Sequence, residues 1–240
     1  MSAPEDFARA LAAVEAAIDW PALGECYCHE GGQAFFPPEQ IAAMREAGLE
    51  IAGALGGELA GRPGRSLYLG AAVAELLPML VETLVLGREV VALNLDGPEV
   101  RLLRVALERA AAETGLELPE LQTRTVEEVS GHFDHAWVVS VFNDPEAFPA
   151  LHDALYGRTG ELATGRGDLD SERRRAEALA GEIEQRLEPH ALLTVTGEEL
   201  PMWRPVLARA GRGVRSSEVD LLTAVVGDPL RFLHLGRPGA

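Results

Sequence analysis

The stretch Ser66-Leu67-Tyr68-Leu69-Gly70-Ala71-Ala72-Val73-Ala74-Glu75-Leu76 limits the fold more than any other part of the chain. It reads as a short buried strand, a tight turn that keeps one glycine, and the first turn of a helix. A second apolar run, Val90-Val91-Ala92-Leu93-Asn94-Leu95-Asp96, follows at the spacing of a βαβ unit. Parallel strands joined in this way commonly hold a nucleotide-like ligand at their carboxyl ends. Two turn positions that would ordinarily be glycine are alanine here, Ala72 and Ala74.

On either side of that unit the pattern alternates. Phe7, Leu11, Val14 and Ile18 recur on one helical face over residues 3–19, and Pro21 reads as its end. Pro37-Pro38 starts a helix to about Leu59, and Gly61-Arg62-Pro63-Gly64 breaks it. The spacing then predicts a strand at 65–70, a helix at 71–86 kinked near Pro78, a strand at 89–95 and a helix at 98–114 capped by Asp96. A weak strand at 121–126, a strong one at 136–142 and a helix at 146–156 follow. A glycine-rich loop (157–170), a charged helix (171–187), a strand (191–196) and a helix (199–210) come next. Two strands near 217–226 and 230–235, joined by Gly227-Asp228-Pro229, close the chain as a hairpin. The expected architecture is α/β: a mostly parallel sheet covered by helices, with an antiparallel closing pair. Residues 1–60 form an N-terminal helical cap and 61–240 the main domain.

Composition removes several chemistries. All 21 basic side chains are arginine, so no lysine is present for a Schiff base or a P-loop. A net charge of −17 disfavours nucleic acid and anionic membrane surfaces as partners. No apolar run reaches the roughly 18–20 residues of a membrane span. Met1 to Trp20 reads as amphipathic and acidic rather than as a secretion signal, and two cysteines fit a reducing cytoplasm.

The order of these elements resembles the class I S-adenosylmethionine-dependent methyltransferases: about seven strands in a Rossmann-like sheet, the last pair a hairpin. Leu67 to Leu76 is similar to that family's first motif, matching at Gly70 and Glu75 and departing at Ala72 and Ala74. The family places an acid for the ribose hydroxyls after the second strand, where this chain offers Asn94 or Asp96. After the third strand, where an acid often lies near the adenine, Arg124-Thr125 stands instead. Phe133-Asp134-His135-Ala136-Trp137-Val138-Val139 resembles the fourth-strand signature. The resemblance implies S-adenosylmethionine as cofactor, held by Gly70, Ala72, Ala74, Glu75, Asn94, Asp96, Thr125 and Ser140. An alanine fits the turn where its φ is negative, whereas a positive φ would cost roughly 1 kcal/mol. A dinucleotide fingerprint fails, since only its first glycine is present.

Two further segments carry chemistry. Cys26-Tyr27-Cys28-His29-Glu30 offers three close metal ligands without a second cluster, so cysteines buried in a loop over a pocket are the favoured reading and no metal is expected. Asn143-Asp144-Pro145 lies where the fourth strand ends and faintly resembles the family's Asn/Asp-Pro-Pro-aromatic motif. A helix start capped by Asp144 explains the same residues. Asp144 and His29 are the candidate bases; His132, His135 and His152 are read as structural. The expected function is methyl transfer to a small-molecule or peptide-like acceptor. The alternative is a non-catalytic relative acting as a ligand sensor or as part of an oligomer such as a homodimer.

Overall fold

A computed structural model of the chain describes residues 2–28, 31–217 and 219–237. Seven strands form a mixed sheet, with helices around it. The chain divides into two compact units, residues 1–125 with 223–227, and residues 126–222 with 228–240.

The first unit opens with α1 (Ala3–Ala17) and α2 (Trp20–Tyr27). Pro21 does not end α1 from a distance; it sits in the first turn of α2, where a missing N–H costs nothing, and Asp19 caps that helix through the Ala22 N–H at 3.1 Å. Next come α3 (Pro38–Leu59), β1 (Arg65–Leu69) and α4 (Leu76–Leu80), which widens into a π-helical turn at Val81–Val85. The unit continues with β2 (Glu89–Leu93), α5 (Pro98–Thr114) and β3 (Leu121–Gln122). Its strands lie in the order β3-β2-β1, all parallel, with Leu69 opposite Leu93 and Leu93 opposite Gln122. Both faces of this sheet are covered: β1 buries Leu67 and Tyr68 together, as a strand between two helical layers must.

The second unit holds β4 (Phe133–Val138), α6 (Pro149–Leu155), α7 (Leu169–Glu184), β5 (Leu187–Thr196), α8 (Leu200–Arg209), β6 (Gly213–Ser216) and β7 (Leu230–Gly236). Here the order is β4-β5-β7-β6; β4 and β5 are parallel, while β7 runs antiparallel to both β5 and β6. The closing antiparallel pair is therefore present, but its first strand lies at 213–216 rather than 217–226. The apolar Leu221–Val226 run instead belongs to the long connection, touching β7's approach through a bridge from Leu222 to Pro229. The fourth strand is also earlier than expected, ending at Val138 rather than at residue 142. His135 is spent between strands, its Nε2 3.0 Å from Thr194 Oγ1. No helix among the described residues is long and apolar enough to cross a membrane.

Candidate functional site

The turn after β1 has the shape the sequence predicts. The N–H groups of Gly70 and Ala71 both donate to the Leu93 carbonyl, at 2.9 and 3.2 Å, pinning the turn to the end of β2. Gly70 has φ +72°, a conformation a Cβ would strain. Ala72 is extended (φ −136°, ψ −155°) and Ala74 lies in a 3₁₀ turn, Val73–Glu75. Among the described residues Ser140 is the only non-glycine with a positive φ, so neither alanine incurs the penalty that replacing glycine would otherwise bring. The buried Glu75 closes the turn, its carboxylate accepting the Ala72 N–H at 2.9 Å.

At the end of β2 the two candidate ribose ligands separate. Asn94 turns inward: its Nδ2 donates to the Ala71 carbonyl at 2.8 Å, and its Oδ1 accepts the Leu95 N–H at 2.7 Å. Asp96 points outward, with its side chain 67% exposed and paired to Arg101 at 2.9 Å. It does not cap α5, because Gly97 occupies the cap position. Thr125, past β3, is exposed.

Beneath the turn a buried network holds β1 to the π-helical turn. Glu82 accepts from Tyr68 Oη at 2.7 Å, from Ser66 Oγ, and from Arg88 Nε at 2.9 Å, and both charged side chains are fully buried. Arg88 also reaches the Arg62 carbonyl at 2.5 Å. Burial, then the Glu82 charge, push the Tyr68 hydroxyl well above the ordinary tyrosine range.

In the first unit's aromatic hood, Tyr27 stacks on Phe35 with centroids 5.5 Å apart and donates to Glu99. Cys26 and Cys28 are half-buried and not joined in a disulfide. Burial, followed by the charges of Glu99 and Glu25, raises the Cys26 thiol, which opposes a nucleophilic or metal-bound thiolate there. His29 lies outside the described residues.

In the second unit the chain leaves β4 through Ser140 (φ +59°) and wraps around one carboxylate. Glu199, fully buried, accepts five hydrogen bonds: from the N–H groups of Ser140 (3.2 Å), Val141 (2.7 Å), Phe142 (2.8 Å) and Thr196 (3.2 Å), and from Thr196 Oγ1 (3.0 Å). Burial pushes its carboxyl up to about 7, against the downward pull of those donors. Asp144 follows as a turn residue: Oδ1 accepts the Glu146 and Ala147 N–H groups at 2.8 and 2.6 Å. The helix it precedes starts at Pro149, three residues later than expected.

Beside that turn lies a polar cluster in which Asn143, from the Asn143-Asp144-Pro145 turn, and His152, read as structural, meet Tyr156 and Asp228. Asn143 Nδ2 donates to Tyr156 Oη at 2.7 Å and to Asp228 Oδ2 at 3.0 Å, and Tyr156 donates to the same carboxylate oxygen. His152 Nδ1 is 2.5 Å from the Asn143 carbonyl. Burial and the bond to Asp228 raise the Tyr156 hydroxyl.

No protein-family model and no curated protein sequence matches the chain. Solved structures do. A magnesium protoporphyrin IX methyltransferase from Synechocystis PCC 6803, with bound SAM, aligns over 91% of this chain and 98% of its own at 12% identity and a TM-score of 0.52. The fold is that of the class I methyltransferases. The same enzyme with bound SAH aligns over 82% of this chain and 86% of its own, at 14% identity and a TM-score of 0.49. A methyltransferase from Pyrococcus furiosus aligns over 80% and 98%, at 13% identity and a TM-score of 0.45. The fold assignment rests on the first of these.

Proposed function

We propose that this chain is an S-adenosylmethionine-dependent methyltransferase acting on a small-molecule or peptide-like acceptor. The observation that carries this reading is the turn after β1. Gly70 takes the left-handed conformation that lets a ligand approach the backbone, and Ala72 and Ala74 fit without strain. Parallel β1 and β2 present that turn and Asp96 at the same ends of the strands.

The residues present fit the cofactor in a particular way. The Gly70–Glu75 turn would lie along it. Asp96, whose exposed carboxylate has acceptor capacity beyond its Arg101 partner, would take the ribose hydroxyls. Asn94 would act indirectly, by fixing the turn through the Ala71 carbonyl. Thr125 follows β3 and is exposed. When bound, the cofactor supplies an electrophilic methyl group; the chain's own contribution is alignment of the acceptor.

The reading of a non-catalytic relative draws on Glu75 and Asn94 being engaged within the protein. Calorimetric titration with S-adenosylmethionine and S-adenosylhomocysteine tests the cofactor site. Saturable heat that is lost in Gly70→Val supports the proposed site; no heat at millimolar ligand removes it.

A further inference from the structure

Beside the connection from β6 to β7, within the second unit, lies a cavity of about 330 Å³ lined by Ser216, Ser217, Val219, Asp220 and Arg231. Main-chain hydrogen bonds set its frame. The Ser217 N–H donates to the Phe232 carbonyl at 2.8 Å, one residue past the end of β6. The Leu230 N–H donates to the Leu221 carbonyl at 2.8 Å, so residues 217 and 221 are both tied to β7. Ser216 stands opposite Leu233 in the antiparallel register, and Leu233 is two residues from Arg231. The pleat therefore puts Ser216 and Arg231 on one face of the sheet.

The half-buried Arg231 is set up to receive an anion. Both of its hydrogen bonds leave from Nη1, to the carbonyls of Val219 at 3.3 Å and Leu230 at 2.8 Å. Those carbonyls fix the guanidinium without neutralising it. They leave the Nε and Nη2 edge, whose paired N–H groups match the two oxygens of a carboxylate. Asp220 is exposed and lines the same cavity. Among the described residues neither Asp220 nor Arg231 has an ion-pair partner. Unlike charges sharing a small space attract one another; with Arg231 anchored to the main chain, these two stay apart.

We propose that this cavity binds a small zwitterion carrying one carboxylate and one ammonium group, such as an amino acid. The ligand's carboxylate takes Nε and Nη2 of Arg231. Its ammonium takes the Asp220 carboxylate and the Ser216 hydroxyl oxygen, which keeps its lone pairs because Oγ donates to the Ser217 carbonyl at 3.3 Å. Val219 gives the carbons between the two ends an apolar surface.

Charge and size both select this ligand class. A net charge of −17 repels a free anion, whereas a zwitterion brings no net charge to the protein. A simple cation would leave the Arg231 guanidinium facing a like charge. The volume of about 330 Å³ is at the lower end of small-molecule sites, which suits a ligand of few carbons. The site lies wholly within the second unit and requires nothing of the turn after β1, so it stands or falls apart from methyl transfer.

The test follows the full chain, labelled with nitrogen-15, by NMR during separate titrations with glycine, β-alanine and 4-aminobutyrate. These carry the same two charges at increasing separation. The expected result is saturable movement of the Val219, Asp220 and Arg231 amide resonances with at least one of the three. Its dissociation constant should be at least about tenfold below those of acetate and methylammonium at equal ionic strength. Asp220→Asn, at an exposed position, should weaken that amino acid roughly tenfold and leave the spectrum of the free protein otherwise unchanged. Arg231→Lys keeps the charge, loses the two-pronged contact and should weaken it by a similar factor. No saturable movement with any of the three amino acids overturns the site. Acetate binding as tightly as the best of them, or undiminished affinity in Asp220→Asn, overturns it equally.

Discussion

Asn94 and Ala71 are joined across 2.8 Å, the side-chain amide of one donating to the main-chain carbonyl of the other. A residue type chosen for ribose recognition in the sequence reading is thus a strut, fixing the turn after β1 from the end of β2. Asn94→Ala leaves the buried Ala71 carbonyl without this donor and should lower stability by about 1–3 kcal/mol. Asn94→Asp should be at least as damaging, because a carboxylate would face a carbonyl. Urea denaturation of both variants checks the ranking.

The buried Glu82–Arg88 pair predicts a larger effect. Removing Arg88 takes the cation from a fully buried carboxylate that also accepts from Ser66 and Tyr68. Arg88→Met should cost about 3–5 kcal/mol. Replacing both charges, Glu82→Leu with Arg88→Met, should recover part of that loss. A double-mutant cycle by chemical denaturation measures it.

Glu199 predicts a pH dependence with a definite sign. Its carboxyl is raised to about 7 in the fold, above the ordinary glutamate value. Its contribution is therefore fully present below about pH 4.5 and is lost as pH rises through about 7, by an amount on the order of 3 kcal/mol. The difference between wild-type and Glu199→Gln stability, measured from pH 4 to pH 9, should narrow across that interval. A difference that widens with rising pH would show that the five donors, not burial, dominate.

Much of the fold was legible in local signals. The helices Pro38–Leu59 and Pro98–Thr114 begin at proline in the first turn, and the second ends at Gly115 in the left-handed conformation (φ +67°). β1 and β2 read correctly because each is an unbroken apolar run between breakers. The end of β4 did not, since Val139–Phe142 continue the apolar pattern while their N–H groups turn aside to Glu199, nearly 60 residues on. β6 escaped notice for the opposite reason: it is an exposed edge strand, recognised only through its pairing with β7. The cluster around Asn143 was invisible for the same kind of reason, because its members are drawn together by strand order from positions up to 85 residues apart.

Gly70 predicts an asymmetry between neighbouring positions. Gly70→Ala places a Cβ at φ +72° and should cost about 1 kcal/mol or more of stability. Ala72→Gly and Ala74→Gly relax nothing strained, so they should not improve S-adenosylhomocysteine affinity beyond about twofold, under 0.5 kcal/mol. Thermal melts and parallel titrations compare the three variants.

The most direct measurement is a crystal structure of the protein grown with S-adenosylhomocysteine. The account predicts the nucleoside lying along Gly70–Glu75 with its ribose hydroxyls on the Asp96 carboxylate. A ligand found elsewhere, or crystals that stay free of it despite saturating concentrations, would contradict the assignment of this turn as the cofactor site.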